Sequence, residues 1–218
     1  MLTVFWVFAF SFSIFIAGII SLIRFKQINK IYYPFLFCIW IGCINELLTF
    51  ILFKLHANSN INSNLYVLFE SVLIVTLFNN LGLIKHKKKN FHGLIITFVA
   101  IWLLEVFVIE SITVTGNFFR IFYSFVIVLM SINYLNIIIS SSRKLNIRNA
   151  DFLLCIGFIL YFTYKVLVYS FWLYGLKSGQ NFLMSVFTIM VFINLIANLI
   201  YALAVLWMPS KIEYTQPY

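Results

Sequence analysis

Gly42-Cys43-Ile44-Asn45-Glu46-Leu47-Leu48-Thr49 lies inside an apolar run that extends from Ile31 to Phe53. A helix needs about 20 residues to cross a bilayer, and this run is long enough. A carboxylate at mid-membrane costs roughly 2.5–3.5 kcal/mol on insertion scales. Glu46 is therefore expected to be paired, protonated or turned toward water inside a bundle. The rest of the chain reads as what surrounds it.

The composition agrees. The chain has 218 residues, 63% of them hydrophobic and 20% aromatic, with only 10% charged. Its mean hydropathy is +1.03. A soluble domain carries about a quarter charged residues, so this balance belongs to a membrane protein. The net charge of +9 does not point to nucleic acid. Most Lys and Arg sit in short segments between apolar runs, as orientation signals do. Cys38, Cys43 and Cys155 all fall within apolar runs, so no disulfide is expected. Met1-Leu2-Thr3-Val4-Phe5-Trp6 has no basic segment and no small-residue cleavage site. It reads as the start of a first membrane helix rather than a signal peptide.

Seven spans are legible: Leu2–Ile23, Ile31–Phe53, Leu65–Ile84, Phe91–Ile109, Phe118–Ile139, Phe152–Tyr174 and Phe182–Trp207. Arg24, Lys26 and Lys30 follow span 1; Lys85, Lys87, Lys88 and Lys89 follow span 3; Arg143, Lys144 and Arg148 follow span 5. The alternate connections hold only Lys54 and His56, then Glu110, then Lys177. That asymmetry predicts an outside N-terminus and a cytoplasmic C-terminus. The expected fold is an all-α, polytopic bundle of seven transmembrane helices over residues 1–208, with a short cytoplasmic tail over 209–218. The bacterial inner membrane is the expected location. The segment His56 to Asn64, rich in Asn and Ser, reads as a solvated connection.

With this topology, depth follows from the helical rise. Glu46, Glu70, Glu105 and Lys165 fall about 7–12 Å below the outer ends of their spans. Arg120 opens span 5 near the same surface. Charges from five helices thus share the outer half of the membrane. Helical spacing adds polar faces. Cys38, Gly42, Asn45, Glu46 and Thr49 share one face of span 2. Tyr66 and Glu70 are one turn apart on span 3, as are Tyr161, Lys165 and Tyr169 on span 6. Asn194, Asn198 and Tyr201 mark a face of span 7 that counts as deeper. Span 1 offers only Ser11, Ser13 and Gly18, and is expected at the lipid-facing rim.

The candidate binding residues are therefore Glu46, Asn45, Glu70, Tyr66, Glu105, Lys165, Tyr161, Tyr169 and Arg120. Lys165 is expected to reach one of the three glutamates. Glu46 and Glu70, on consecutive antiparallel helices, are expected to meet in one pocket. Two close carboxylates disfavour double ionisation, so a shared proton or cation would follow. The competing reading is that each glutamate is satisfied separately within the protein.

Asn64-Leu65-Tyr66 followed by Phe69-Glu70 resembles a motif of uncharacterised bacterial seven-helix membrane proteins, and that resemblance implies no function. The three-plus-one-plus-three layout is similar to the SWEET and PQ-loop transporters in topology. That class's Pro-Gln dipeptides are absent, and only the reversed Gln216-Pro217 occurs. Phe35-Leu36-Phe37-Cys38-Ile39 and Phe152-Leu153-Leu154-Cys155-Ile156 would align as parts of a parallel repeat, with Asn80 opposite Asn198. Chance matching of Phe, Leu and Ile competes with that reading.

Three function classes separate on residues. A binding or translocation site fits polar groups converging in an apolar bundle. Asn79, Asn80, Asn133, Asn136, Asn194 and Asn198 would line its inward route. An intramembrane enzyme would have to use paired glutamates, because His56, His86 and His92 lie in or beside loops and form no zinc cluster. A retinal protein would carry its lysine in the seventh span, whereas Lys165 is in the sixth. A sensory or partner subunit would need a separate membrane or cytoplasmic output protein. The partners read from sequence are the lipid bilayer and a small-molecule or ion ligand. Nucleic acid is not among them, and no cofactor is identified.

Overall fold

The computed structural model describes residues 4–84, 88–109, 111–141, 148–173 and 180–210. In lipid every backbone N–H and C=O must be satisfied within the chain, which leaves the helix as the solution for long apolar runs. Seven helical stretches are long and apolar enough to cross a membrane. They comprise α1 Val4–Ser11 with α2 Ile14–Arg24, α3 Tyr33–Lys54, α4 Asn60–Asn80, α5 Lys88–Leu104, α6 Phe118–Ser141, α7 Ala150–Leu173 and α8 Gln180–Trp207. No strand occurs among the described residues, only an isolated bridge between Ile28 and Ser210. That bridge ties Pro209 and Ser210 to the end of span 1, with Asn29 N–H donating to the Pro209 carbonyl at 3.1 Å. The basic residues Lys85, Lys87, Arg143 and Lys144, together with His86, Glu110, Lys177 and residues 211–218, lie outside the described residues.

Local chemistry sets the ends. Pro34 opens α3, where its missing N–H costs nothing, after a 3₁₀ turn at Lys30–Tyr32 whose Ile31 N–H is accepted by Asn29. α3 and α4 end alike. At α4, Gly82 takes φ +95°, Gly82 N–H bonds Asn79 C=O, and Leu83 N–H bonds Phe78 C=O. At α3, His56 takes φ 53°, with His56 bonding Phe53 and Ala57 bonding Leu52 in the same way. This is the Schellman closure, which needs a left-handed residue just past the helix. It stops α4 before the expected Ile84. α4 also begins earlier than Leu65, because the asparagines before Leu65 are helical.

Span 1 departs most from expectation. It is broken at Phe12–Ser13, where Ser13 N–H reaches back only to Phe10 C=O, at 3.1 Å. The Ser13 hydroxyl donates to the same carbonyl at 2.6 Å, competing with the helical ladder. The span is largely exposed, as expected of a lipid-facing helix, yet it also packs closely on its neighbours. α2 packs on α3 and α8, α1 packs on α8, and Ala17, Gly18 and Ser21 are buried. A Cβ at Gly18 would stand 2.9 Å from Cys43 Sγ, so the α2–α3 contact depends on a bare backbone. Span 4 is as exposed as span 1 and has fewer neighbours. α5 rests mainly on α4 and less on α6, then widens into a π-helical turn at Glu105–Ile109.

The other six spans close a ring in the order 1–2–3–5–6–7, with span 7 returning to span 1. Spans 1–2–3 and 5–6–7 follow the same neighbour order, as a parallel repeat requires. The residue match is weaker. Asn80 is exposed and donates to the Ile31 carbonyl, whereas Asn198 is buried against Ser13.

Candidate functional site

The ring encloses a cavity of about 70 Å³ between spans 1, 2, 3, 6 and 7. At roughly 10–15 Å³ of such space per water, it has room for a few waters. Its apolar wall is built largely from Phe35, Ile39, Ile74, Phe158 and Phe162. Its polar groups are Ser11, Glu46, Tyr66, Glu70, Tyr161, Asn194, Asn198 and Tyr201.

Glu70 is held by three donors from three helices. Tyr66 one turn earlier donates to Oε1 at 2.9 Å. Tyr123 of α6 donates to Oε2 at 2.6 Å, and Lys165 of α7 donates to the same oxygen at 3.0 Å. The Lys165 and Glu70 side chains are 3% and 5% exposed. Rings of Tyr123, Tyr161 and Phe162 lie 5.0–5.4 Å from the ammonium, and Tyr161 Oη is 3.5 Å away. Lys165 thus reaches a glutamate as expected, and that glutamate is Glu70.

Glu46 is different. It lines the same cavity and meets Ser11 of the broken span. Among the described residues no cation lies within salt-bridge distance of it. The two glutamates share a cavity wall, but Glu70 is already neutralised inside the protein and Glu46 is not.

The remaining candidates divide among other roles. Asn45 Oδ1 accepts from Asn62 Nδ2 at 2.9 Å, with Thr49 Oγ1 at 3.4 Å, so both belong to the α3–α4 contact rather than the cavity. Glu105 is 2% exposed, and its two oxygens accept Phe118 and Phe119 N–H at 2.7 and 2.9 Å. It caps the N-terminus of α6, where backbone donors and the helix dipole favour a carboxylate. Arg120 is 3% exposed and donates to Ser63, Asn64 and Tyr169 at 2.9–3.2 Å, with no carboxylate in salt-bridge range among the described residues. Tyr169 lines a separate groove with Asn117, Trp172 and Phe187. The expected common cluster of charges is therefore divided: the Glu70–Lys165 pair and Glu46 share the cavity, while Glu105 is satisfied by backbone N–H groups and Arg120 by hydroxyl and amide oxygens elsewhere.

Two further expectations change. The Asn-rich segment is exposed at His56 to Asn58, as a solvated connection would be, but it is helical from Asn60 and also forms a clamp. Asn58 and Asn60 both donate to Thr113 C=O at 2.8 Å, while Asn64 donates to Ile112 and Val114 C=O. Of the asparagines expected on an inward route, Asn133 and Asn136 are exposed and do not line this cavity, and Asn133 instead lines a groove with Leu83, Asn90 and Met130. Asn194 and Asn198 instead line the cavity beside Glu46.

Residues outside the candidate list matter as much. Tyr123 completes the Glu70 site, and its spacing from Arg120 on span 5 was the available signal. Ser11 and Ser13 gave none beyond being hydroxyls in an apolar span. Asp151 accepts from Tyr32 at 2.7 Å and Tyr134 at 3.2 Å, joining spans 2, 5 and 6 near the C-terminal end of the bundle. Arg24 donates to the carbonyls of Val205, Leu206 and Met208, capping α8 at its C-terminus, where a cation is favoured. Among the described residues no three of His, Cys, Asp and Glu gather as a metal cluster requires. Compared with protein-family models, curated proteins and solved structures, the chain matches none.

Proposed function

We propose that this integral membrane protein, set in a bacterial inner membrane with its N-terminus outside, binds or translocates a small molecule or ion through the cavity between spans 1, 2, 3, 6 and 7. One observation carries the reading: Glu46, a carboxylate without an ionic partner among the described residues, opens into an interior space lined by hydroxyl and amide groups. A half-buried carboxylate within a membrane span is expensive to maintain, and such groups mark substrate or ion pathways. An acid–base enzyme built on Glu46 and Glu70 has less support, because Lys165, Tyr66 and Tyr123 already occupy Glu70.

Cys38 provides the test, since it lines the same cavity and is a free thiol. In a Cys43→Ala/Cys155→Ala variant in sealed vesicles, silver ion, a thiol-reactive monovalent cation small enough for this cavity, should react with Cys38 from the outer side and block its later maleimide labelling in denaturant. A thiol that silver reaches from neither side would mean the cavity never opens to water, and the reading would fall.

A further inference from the structure

The chemistry of the cavity narrows what it can hold, on the footing that it is a binding site. Its size comes first. Pockets for drug-sized ligands run to about 300–1,000 Å³. The space here is about 70 Å³, which suits an ion with some of its hydration and excludes most organic molecules.

Charge comes second. Glu70 and Lys165 form a neutral pair in one wall. The remaining formal charge is the single carboxylate of Glu46. One carboxylate matches one positive charge. Calcium sites gather several oxygen ligands with more than one carboxylate as a rule, and magnesium holds several waters in a strict octahedron.

Donor type comes third. Apart from Cys38, the polar lining offers oxygen or amide groups only: Ser11, Asn194, Asn198, Tyr66, Tyr161 and Tyr201. Hard oxygen donors without imidazole do not select copper, nickel or zinc.

The backbone comes fourth. α1 ends at Ser11 and α2 begins at Ile14, joined by a tightened turn in which Ser13 keeps helical φ and ψ while its N–H bonds the Phe10 carbonyl. Asn198 Nδ2 holds the Ser13 hydroxyl at 2.9 Å, fixing the break against α8.

We infer that the cavity is a site for one monovalent alkali cation, with the Glu46 carboxylate as its charged ligand and Ser11 and Asn194 among its neutral oxygen donors. The inference rests on the binding-site reading and names the ligand class. The other ionisable groups facing this space are Glu70 and Tyr66 on α4, Tyr161 on α7, Tyr201 on α8 and Cys38 on α3 itself. Lys165 stands behind Glu70. Among the described residues none of them supplies a positive charge to Glu46.

The test is thermal melting of the full chain in detergent. Choline chloride is replaced by lithium, sodium or potassium chloride at constant ionic strength, with magnesium chloride as a separate arm and each series repeated at two pH values. One alkali cation should raise Tm saturably by several degrees at millimolar concentration. Glu46→Gln, close in shape and neutral, should lose the response. Ser11→Ala should keep it with a half-saturating concentration raised about tenfold, the equivalent of one lost ligand contact. That variant also serves if Glu46→Gln does not fold. Coincident melting in choline and every alkali salt would overturn the inference, as would an undiminished response in Glu46→Gln. So would stabilisation that follows pH alone, which would assign the site to a proton. Reaction of Cys38 with silver without any alkali-cation response removes only the ligand class. An inert Cys38 removes the binding site as well.

Discussion

Replacing Lys165 by Met removes the buried Lys165–Glu70 ion pair and leaves Glu70 in place. An exposed pair would contribute about 0–1 kcal/mol. This pair is not exposed: its side chains are 3% and 5% accessible. Stranding one partner of a buried pair costs about 3–5 kcal/mol. Tyr66 and Tyr123 still donate to Glu70, which places the expected loss toward the lower end. For a chain of this size each kcal/mol moves Tm by roughly 2–4 °C, so Lys165→Met should melt about 6–12 °C lower. Glu70→Gln should cost less, because three aromatic rings within 5.4 Å continue to face the ammonium. Lys165→Met/Glu70→Gln discards both charges and should recover much of the loss. The assay is thermal melting of the four proteins in one detergent, read as a double-mutant cycle. Coupling of about 2 kcal/mol or more is expected, well above the ~0.5 kcal/mol of independent sites. Additive losses, or single variants within about 2 °C of the parent, would refute the reasoning, because the pair would then be screened by water in the cavity.

Three other outcomes follow from the packing. Glu105→Ala leaves the Phe118 and Phe119 N–H groups without their acceptor and should cost about 2–4 kcal/mol, with Glu105→Gln recovering part of it in the same melt. Gly157→Ala places a Cβ 2.5 Å from the Tyr201 ring, so it should cost about 1–3 kcal/mol by overpacking, whereas Gly93→Ala, with open space around it, should not destabilise. For topology, a cysteine at exposed Ala57 should react with impermeant reagents only from outside and one at exposed Lys26 only from the cytoplasm; labelling of both from one side would contradict the seven-span layout.

The spans were legible because about 20 apolar residues in a row have few other uses. That Lys165 reaches a glutamate was legible too, since both groups are too costly to face lipid, but depth left Glu46, Glu70 and Glu105 level and did not choose among them. The break in span 1 was not. Phe12-Ser13 contains no Gly or Pro, and the stretch from Trp6 to Arg24 keeps a mean hydropathy of 2.3 straight through it. What breaks the helix is a Ser13 hydroxyl held by Asn198, a partner far along the chain. Glu105 was misread for a related reason: its depth was visible, but the backbone donors it caps belong to the next helix. The clamp made by Asn58, Asn60 and Asn64 reads in sequence as turn-forming residues, because their partners are carbonyls, which carry no residue signature.

A density map of the purified protein that resolves ordered waters tests the cavity most directly. It should show a non-protein peak inside the ring, within bonding distance of the Glu46 carboxylate and close to Ser11 and Asn194. A cavity closed by side chains, with Glu46 turned to lipid or paired to a cation of the chain, would contradict the proposal.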